Sequence, residues 1–424
     1  MRRFAVLGAI AVGALAAPLL ASGTGSPVRL HLSELPASPV LGTVDSGQGF
    51  TAYGDSILTR LDPKSLLPVG KARLRFSPEI GDWAYSPDRS RLAVISGDRL
   101  FVVGTRPLRI LSSAANSGFR RPDALGWVDG RVLVLTTTLP SALLKPFVFD
   151  PSTGRVHGLP GISAAFVAAG WAAHALVVLL SPEIGGIGAC ELARIPAEGE
   201  DETVPVPGTR CGSNVGEAHT GPGKAFMPGL AVDPTGDRAF IAPGASSIFE
   251  VDLRTMAAAR HDLGRSSGSF ASILGWLAPS AQAKSAPQGP VRYALWLGGG
   301  ALAVWGADWN SSARATVVGV TLIDTRSWAS QTLDAADWVL RDGDTLVTYG
   351  SHGVMVYGPD GSLRRRLFSG REVYADVGFG HAIVSPSANG QPTRSWVVDL
   401  STGKILRSGP TTSMPGLLDA DVTS

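Results

Sequence analysis

The chain has 424 residues, 17% of them charged, with 52 glycines, 30 prolines and two cysteines. Its formal net charge is +2, and setting Arg2 and Arg3 aside leaves 35 basic against 35 acidic residues. That balance argues against electrostatically driven binding of nucleic acid or anionic membrane, and 44% hydrophobic residues supply an ample core.

At the amino end, Arg2-Arg3, the apolar run Phe4 to Leu15 and the A-x-A match Ala14-Leu15-Ala16 predict an export signal over residues 1–23. An uncleaved anchor over Phe4 to Ala21 is the alternative, marginal in length for a membrane span. No other segment is long and apolar enough to span, so the mature chain is expected to carry no span and to reside in the periplasm, the cell envelope or the medium. Residues 24–45 read as a linker and 46–424 as one domain.

That domain is built on a phrase seen most clearly in Ser86 to Leu108, SPDRSRLAVISGDRLFVVGTRPL. A polar turn leads to a short apolar run, a Gly-Asp hairpin signal, a second run and a Pro-marked turn. In chain order the phrase starts weakly at Thr51 to Lys71, then recurs at Leu125 to Val156 and, stretched, at Ala164 to Val206. It returns at Leu230 to Thr255, Leu295 to Trp328, Trp338 to Leu363 and Phe379 to Ile405. A unit of roughly forty residues with four strands predicts an all-β fold, a β-propeller of seven or eight four-stranded blades. Leu417 to Val422 or Val28 to Leu32 is expected to supply the strand that closes the ring. Trp83, Trp127, Trp171, Trp296 and Trp338 precede apolar runs in register with the repeat, as space-filling residues between blades would.

The strand-turn-strand phrase VVDLSTGKI, Val397 to Ile405, resembles the repeats of YVTN-type and WD-repeat-like propellers, and the resemblance covers about residues 50 to 410. It implies architecture and leaves activity open, because propellers serve as scaffolds, receptors, lactonases and oxidoreductases.

Two insertions break the period. Ser181 to Met227 holds both cysteines. Two strands around Glu198 to Glu202 are expected to set Cys190 opposite Cys211, with the turn centred on Glu200-Asp201, and to form a disulfide; a reactive thiol pair and metal ligation are the alternatives. The following Gly212 to Gly229 stretch carries Glu217, His219 and Lys224 and reads as a candidate functional loop, or as an ordinary exposed polar loop. Arg265 to Pro290 contains Phe270, Ile273, Leu274 and Leu277 at i, i+3, i+4, i+7 spacing. This predicts a short amphipathic helix that packs on the body or docks a partner. Arg364-Arg365-Arg366 is the densest basic run and is placed on an outer strand, as a charged edge or an anion site.

No motif names a catalytic residue or a cofactor. Gly264 to Gly268 matches G-x-S-x-G outside the strand-to-helix context that motif requires. The seven histidines form no H-E-x-x-H, and no C-x-x-C-H is present. The reading is therefore a monomeric exported propeller that acts as a binding scaffold for a protein partner or small ligand, and not for nucleic acid. The alternatives are a lactonase-like hydrolase with its site in the central funnel, where carboxylates and carbonyls could hold Ca²⁺, and a quinone-dependent redox propeller to which the tryptophans point.

Overall fold

The computed structural model describes residues 39–45, 55–78, 80–120, 122–138, 143–213, 224–235, 238–244, 246–263, 289–310, 315–386 and 394–418. Eight antiparallel sheets follow one another, and the chain is an eight-bladed β-propeller. Blade 1 consists of Ile80–Tyr85, Arg91–Ser96, Arg99–Thr105 and Leu108–Ala115, paired in that order. Blades 2 to 7 repeat the pattern from inner strands Ala124–Val128, Ala165–Ala172, Gly229–Val232, Gly289–Gly298, Trp338–Asp342 and Val373–Gly378.

Polarity grades from the middle of each blade to the rim. The second strand of blade 3, ALVVLLS, is buried at all seven positions, because neighbouring blades cover both of its faces. The outer strand of blade 4, AAARHD, is exposed at five of six positions. The core is a set of layers between blades. One layer joins Val177 and Leu192 of blade 3 to Ile241 and Val251 of blade 4. Another joins Ile95 and Val102 of blade 1 to Val134 and Phe149 of blade 2.

The repeated Asp residues act locally. Between third and fourth strands, Asp62, Asp150, Asp252, Asp324, Asp360 and Asp399 each accept a backbone N–H two or three residues on, at 2.7–3.1 Å. These are Asx turns, which bend the chain without help from the rest of the fold. Between first and second strands, Asp129-Gly130 takes φ 49° and 76°, as a tight type I′ hairpin requires.

The ring is closed by the carboxyl end. Gly416–Leu417 pairs with Leu41–Asp45, and Ser56–Leu61 and Pro68–Phe76 complete blade 8. Of the two expected closing strands the C-terminal one is used; Val28 to Leu32 and the signal segment lie outside the described residues. The sheet begins at Leu41, so the last five residues of the stretch read as linker are a strand. LGTVD is short, and its inner partner comes from the other end of the chain.

Cys190 and Cys211 form a disulfide with Cα atoms 5.0 Å apart, and both side chains are fully buried between blades 3 and 4. The expected register needs correction. Cys190 pairs with Val206 and Gly188 with Cys211, so Ala189 on one strand faces four residues, Pro207 to Arg210, on the other. The two prolines Pro205 and Pro207 cannot donate to the ladder, and Gly208 at φ 80° lets the strand bulge. The Thr209 hydroxyl donates to the Val206 carbonyl at 2.6 Å and fastens the bulge. The hairpin turn accordingly lies nearer Glu198 than Glu200-Asp201.

Candidate functional site

The inner strands are largely apolar, and their charged residues are a few aspartates and the buried Arg292 and Arg341. Asp82 lies in IGDWAY of blade 1, Asp342 ends WVLRD of blade 6, and Asp376 lies in VYADVG of blade 7. Burial raises all three carboxyls, Asp82 and Asp376 to about 6. Removing a carboxylate from water disfavours its charged form, and only opposing hydrogen bonds or cations restrain the rise. Blades 7 and 1 flank blade 8, so Asp376 and Asp82 stand on either side of the closing blade.

The hydrogen-bond partners of these groups belong largely to neighbouring blades. The Leu417 N–H of the closing strand donates to Asp376 Oδ2 at 2.9 Å. The Gly380 N–H of blade 7 donates to Asp342 Oδ2 at 2.6 Å. The charges of His381 and Arg89 oppose the rise at Asp342, so blades 1, 6 and 7 all bear on this carboxyl. On blade 2, Asp129 Oδ1 lies 2.6 Å from His174 Nδ1 of blade 3. The Tyr85 hydroxyl donates to the Leu418 carbonyl at 3.2 Å, and Trp127 Nε1 donates to the Ala84 carbonyl at 2.9 Å. These polar groups join blade to blade. Asp82 differs, because the hydrogen bond to its carboxyl comes from the adjacent Trp83 N–H at 2.8 Å.

Aromatic side chains gather near the same strands. Burial, then the charge of Asp376, pushes the Tyr349 hydroxyl up to about 12. Tyr293 of blade 5 and Trp338 of blade 6 are exposed, with ring centroids 5.1 Å apart. Trp171 fits against Gly126 of blade 2, where a Cβ would come within 2.2 Å of the indole. Trp296 stacks on Phe240 of blade 4 at 5.1 Å. Of the in-register tryptophans, Trp127, Trp171 and Trp296 thus pack between blades, whereas Trp338 is exposed.

A cleft of about 210 Å³ opens between blades 3 and 4, lined by His174, Arg194, Thr235 and Arg254. Small-molecule sites usually start at roughly 300 Å³. Among the described residues, no group of three or more His, Cys, Asp or Glu side chains is placed to hold a metal ion.

Of the residues singled out from sequence, the cysteines are brought together. Glu217, His219 and the segment with Phe270, Ile273, Leu274 and Leu277 lie outside the described residues. Lys224 is described and exposed. Arg364 to Arg366 lie on the outer strand of blade 6, as expected. The inner aspartates were not anticipated. The available signal was a lone Asp inside an otherwise apolar inner run, as in VYADVG.

No protein-family model matches the chain, and no curated protein matches it. Among solved structures it is similar to the dihydro-heme d1 dehydrogenase NirN, with TM-score 0.54, 15% identity, and 92% of this chain against 76% of that one. It is also similar to Sqt1 of Saccharomyces cerevisiae, with TM-score 0.47, 11% identity and coverage of 80% and 87%. BamB from Moraxella catarrhalis gives TM-score 0.43, 12% identity and coverage of 85% and 96%. At these identities the likeness establishes the propeller fold alone.

Proposed function

We propose that the protein is an exported binding scaffold, working in the cell envelope or outside it. The observation that carries this reading is the use of the inner carboxylates. Asp342 and Asp376 are engaged by backbone N–H groups of the next blade, so they tie blade 6 to blade 7 and blade 7 to the closing blade 8, a structural use of both carboxyls. A disulfide buried in the core suits an oxidising compartment and the export signal read at the amino end. The test is a pull-down with the chain from Thr24 on, against a detergent-solubilised envelope extract of its host. The expected result is one partner retained at stoichiometric amount. A tightly held metal or small molecule, with no partner retained, would count against the scaffold.

Asp82 favours a second reading, a hydrolase with its site in the central funnel. Its carboxyl, raised to about 6, has the acidity of a general acid or base. Lactone hydrolysis by the purified chain, abolished in Asp82→Asn, would establish it. No turnover, or turnover unchanged by that substitution, would exclude this residue.

A further inference from the structure

Charge and exposed apolar surface are distributed unevenly around the ring. The outer strands of blades 6, 7, 8 and 1 are LRRRL, ILRSGP, PVGKARLRF and LRILSSAA. They carry three, one, three and one Arg or Lys, eight in all, and no Asp or Glu. The outer strands of blades 2 to 5 are RVHG, ETVPVPGTRCGS, AAARHD and SQTLD. Those carry Arg155, Arg210 and Arg260 against Glu202, Asp262 and Asp334. Counted over the outer strands, one half of the rim is basic and the other neutral, although Arg75 is paired with Asp55 and the turns leading into the basic strands hold Asp62, Asp360 and Asp399. The near-zero total charge conceals this difference.

Exposed aliphatic side chains of the outer strands follow the same division, while Ile184 of blade 3 and Val317 of blade 5 are exposed elsewhere on the neutral half. Leu363 opens the outer strand of blade 6, at 38% exposure, and Ile405 opens that of blade 7, at 50%. On blade 8, Leu67 and Val69 sit at the start of the outer strand, 45% and 41% exposed. On blade 1, Ile110 and Leu111 are each 44% exposed. Among the described residues, the outer strands of blades 2 to 5 expose no large hydrophobic side chain to this degree. Each of these aliphatics lies in, or close after, the turn from third to fourth strand, which places them at one end of the ring.

The chain also enters the fold at that end. The Leu61 N–H donates to the Val40 carbonyl at 2.9 Å, and the Asp62 N–H to the Leu67 carbonyl at 2.8 Å. Residue 40 therefore meets blade 8 beside the turn that carries Leu67.

We propose that the rim of blades 6, 7, 8 and 1 docks on an anionic lipid surface. Aliphatic side chains interleaved with Arg and Lys suit the headgroup region, where apolar groups enter the acyl boundary and basic groups pair with lipid phosphates. Nucleic acid would use the cations and leave the aliphatics in water. Edge protection explains basic residues on outer strands in general, but on the equally exposed edges of blades 2 to 5 the three arginines are matched by three acids. The proposal rests on the reading of an exported binding propeller and names the surface that it binds.

The test uses the chain from Thr24 on, which keeps every described residue, in co-sedimentation with phosphatidylcholine vesicles with and without phosphatidylglycerol. Retention is expected only on the anionic vesicles, falling as salt is raised. Removing one basic group near the surface weakens binding about fivefold, so Arg364→Ser with Arg366→Ser should weaken it about 25-fold. Ile405→Ser with Leu406→Ser should weaken it as well, and the matched pair Arg155→Ser with Arg260→Ser should leave it unchanged. All these positions are at the surface, and circular dichroism checks that each variant keeps its strand signal. No retention on anionic vesicles at low salt overturns the proposal, as does equal weakening by the blade 2 and blade 4 pair. If vesicles are not bound but one envelope protein is retained, the lipid proposal fails and the scaffold reading stands. If anionic vesicles are bound and no protein is, the lipid proposal stands and a protein partner is excluded.

Discussion

Replacing Asp376 by Asn should remove a pH-dependent weakness at the ring closure. In the unfolded chain this carboxyl ionises near 3.8, and burial in the folded chain raises that to about 6. Below the lower value both states are protonated and the group costs nothing. Above the upper value both are ionised, and the folded state bears the full cost of a buried charge. A rise of about two units corresponds to about 3 kcal/mol, lost as pH rises from about 4 through about 6. Asn keeps an acceptor for the Leu417 N–H and carries no charge, though its amide must be accommodated at about 1 kcal/mol. The variant should therefore be slightly less stable than the parent near pH 4 and about 2 kcal/mol more stable near pH 8. Urea unfolding at intervals across that range, followed by tryptophan fluorescence, measures the difference, and other titrating groups cancel between the two proteins. A difference that stays flat to about 0.5 kcal/mol would show that the folded carboxylate is hydrated, and the account of its environment would fall.

Opening the disulfide should cost about 3 kcal/mol in the chain-entropy account, for cysteines separated by 21 positions; urea midpoints of oxidised and reduced protein measure it, and equal midpoints would refute it. Leu417→Ala and Leu418→Ala, at sites 3% and 2% exposed, should each cost about 3 kcal/mol, read as a lowered thermal midpoint. Gly126→Ala should cost about 1–3 kcal/mol because its new Cβ meets the Trp171 ring, and a shifted tryptophan emission should accompany the loss.

The features legible in the sequence are those produced by local chemistry. An Asp that caps its own turn, as Asp150 and Asp399 do, needs only the next two or three residues, so the repeat can be read one blade at a time. Six of the eight blades carry such a turn, and seven or eight units are legible from the repeat as a whole. Features that depend on distant partners left weaker traces. Leu41–Asp45 is a strand because Ser56–Leu61 covers one edge and Gly416–Leu417 the other, and nothing in LGTVD foretells the second. The cysteine pairing was readable from composition and compartment, whereas its register was not. Counting residues back from a turn assumes an unbroken ladder, and Pro207 to Arg210 interrupt it.

The inner aspartates show the same division between local and distant causes. IGDWAY and VYADVG each place one carboxyl in an apolar run, and the sequence alone cannot distinguish a catalytic acid from a structural acceptor. The donor decides, and for Asp376 it is a backbone N–H 41 residues away on the closing strand. An Asp in that position couples blade 7 to the closing blade 8 through a single hydrogen bond, at the cost of burying a charge above about pH 6. The ring therefore gains a fixed closure register and loses stability toward alkaline pH. Among the described residues, Asp82 bears a comparable rise with no hydrogen bond from another blade, so its carboxyl is the better place to look for chemistry in the funnel.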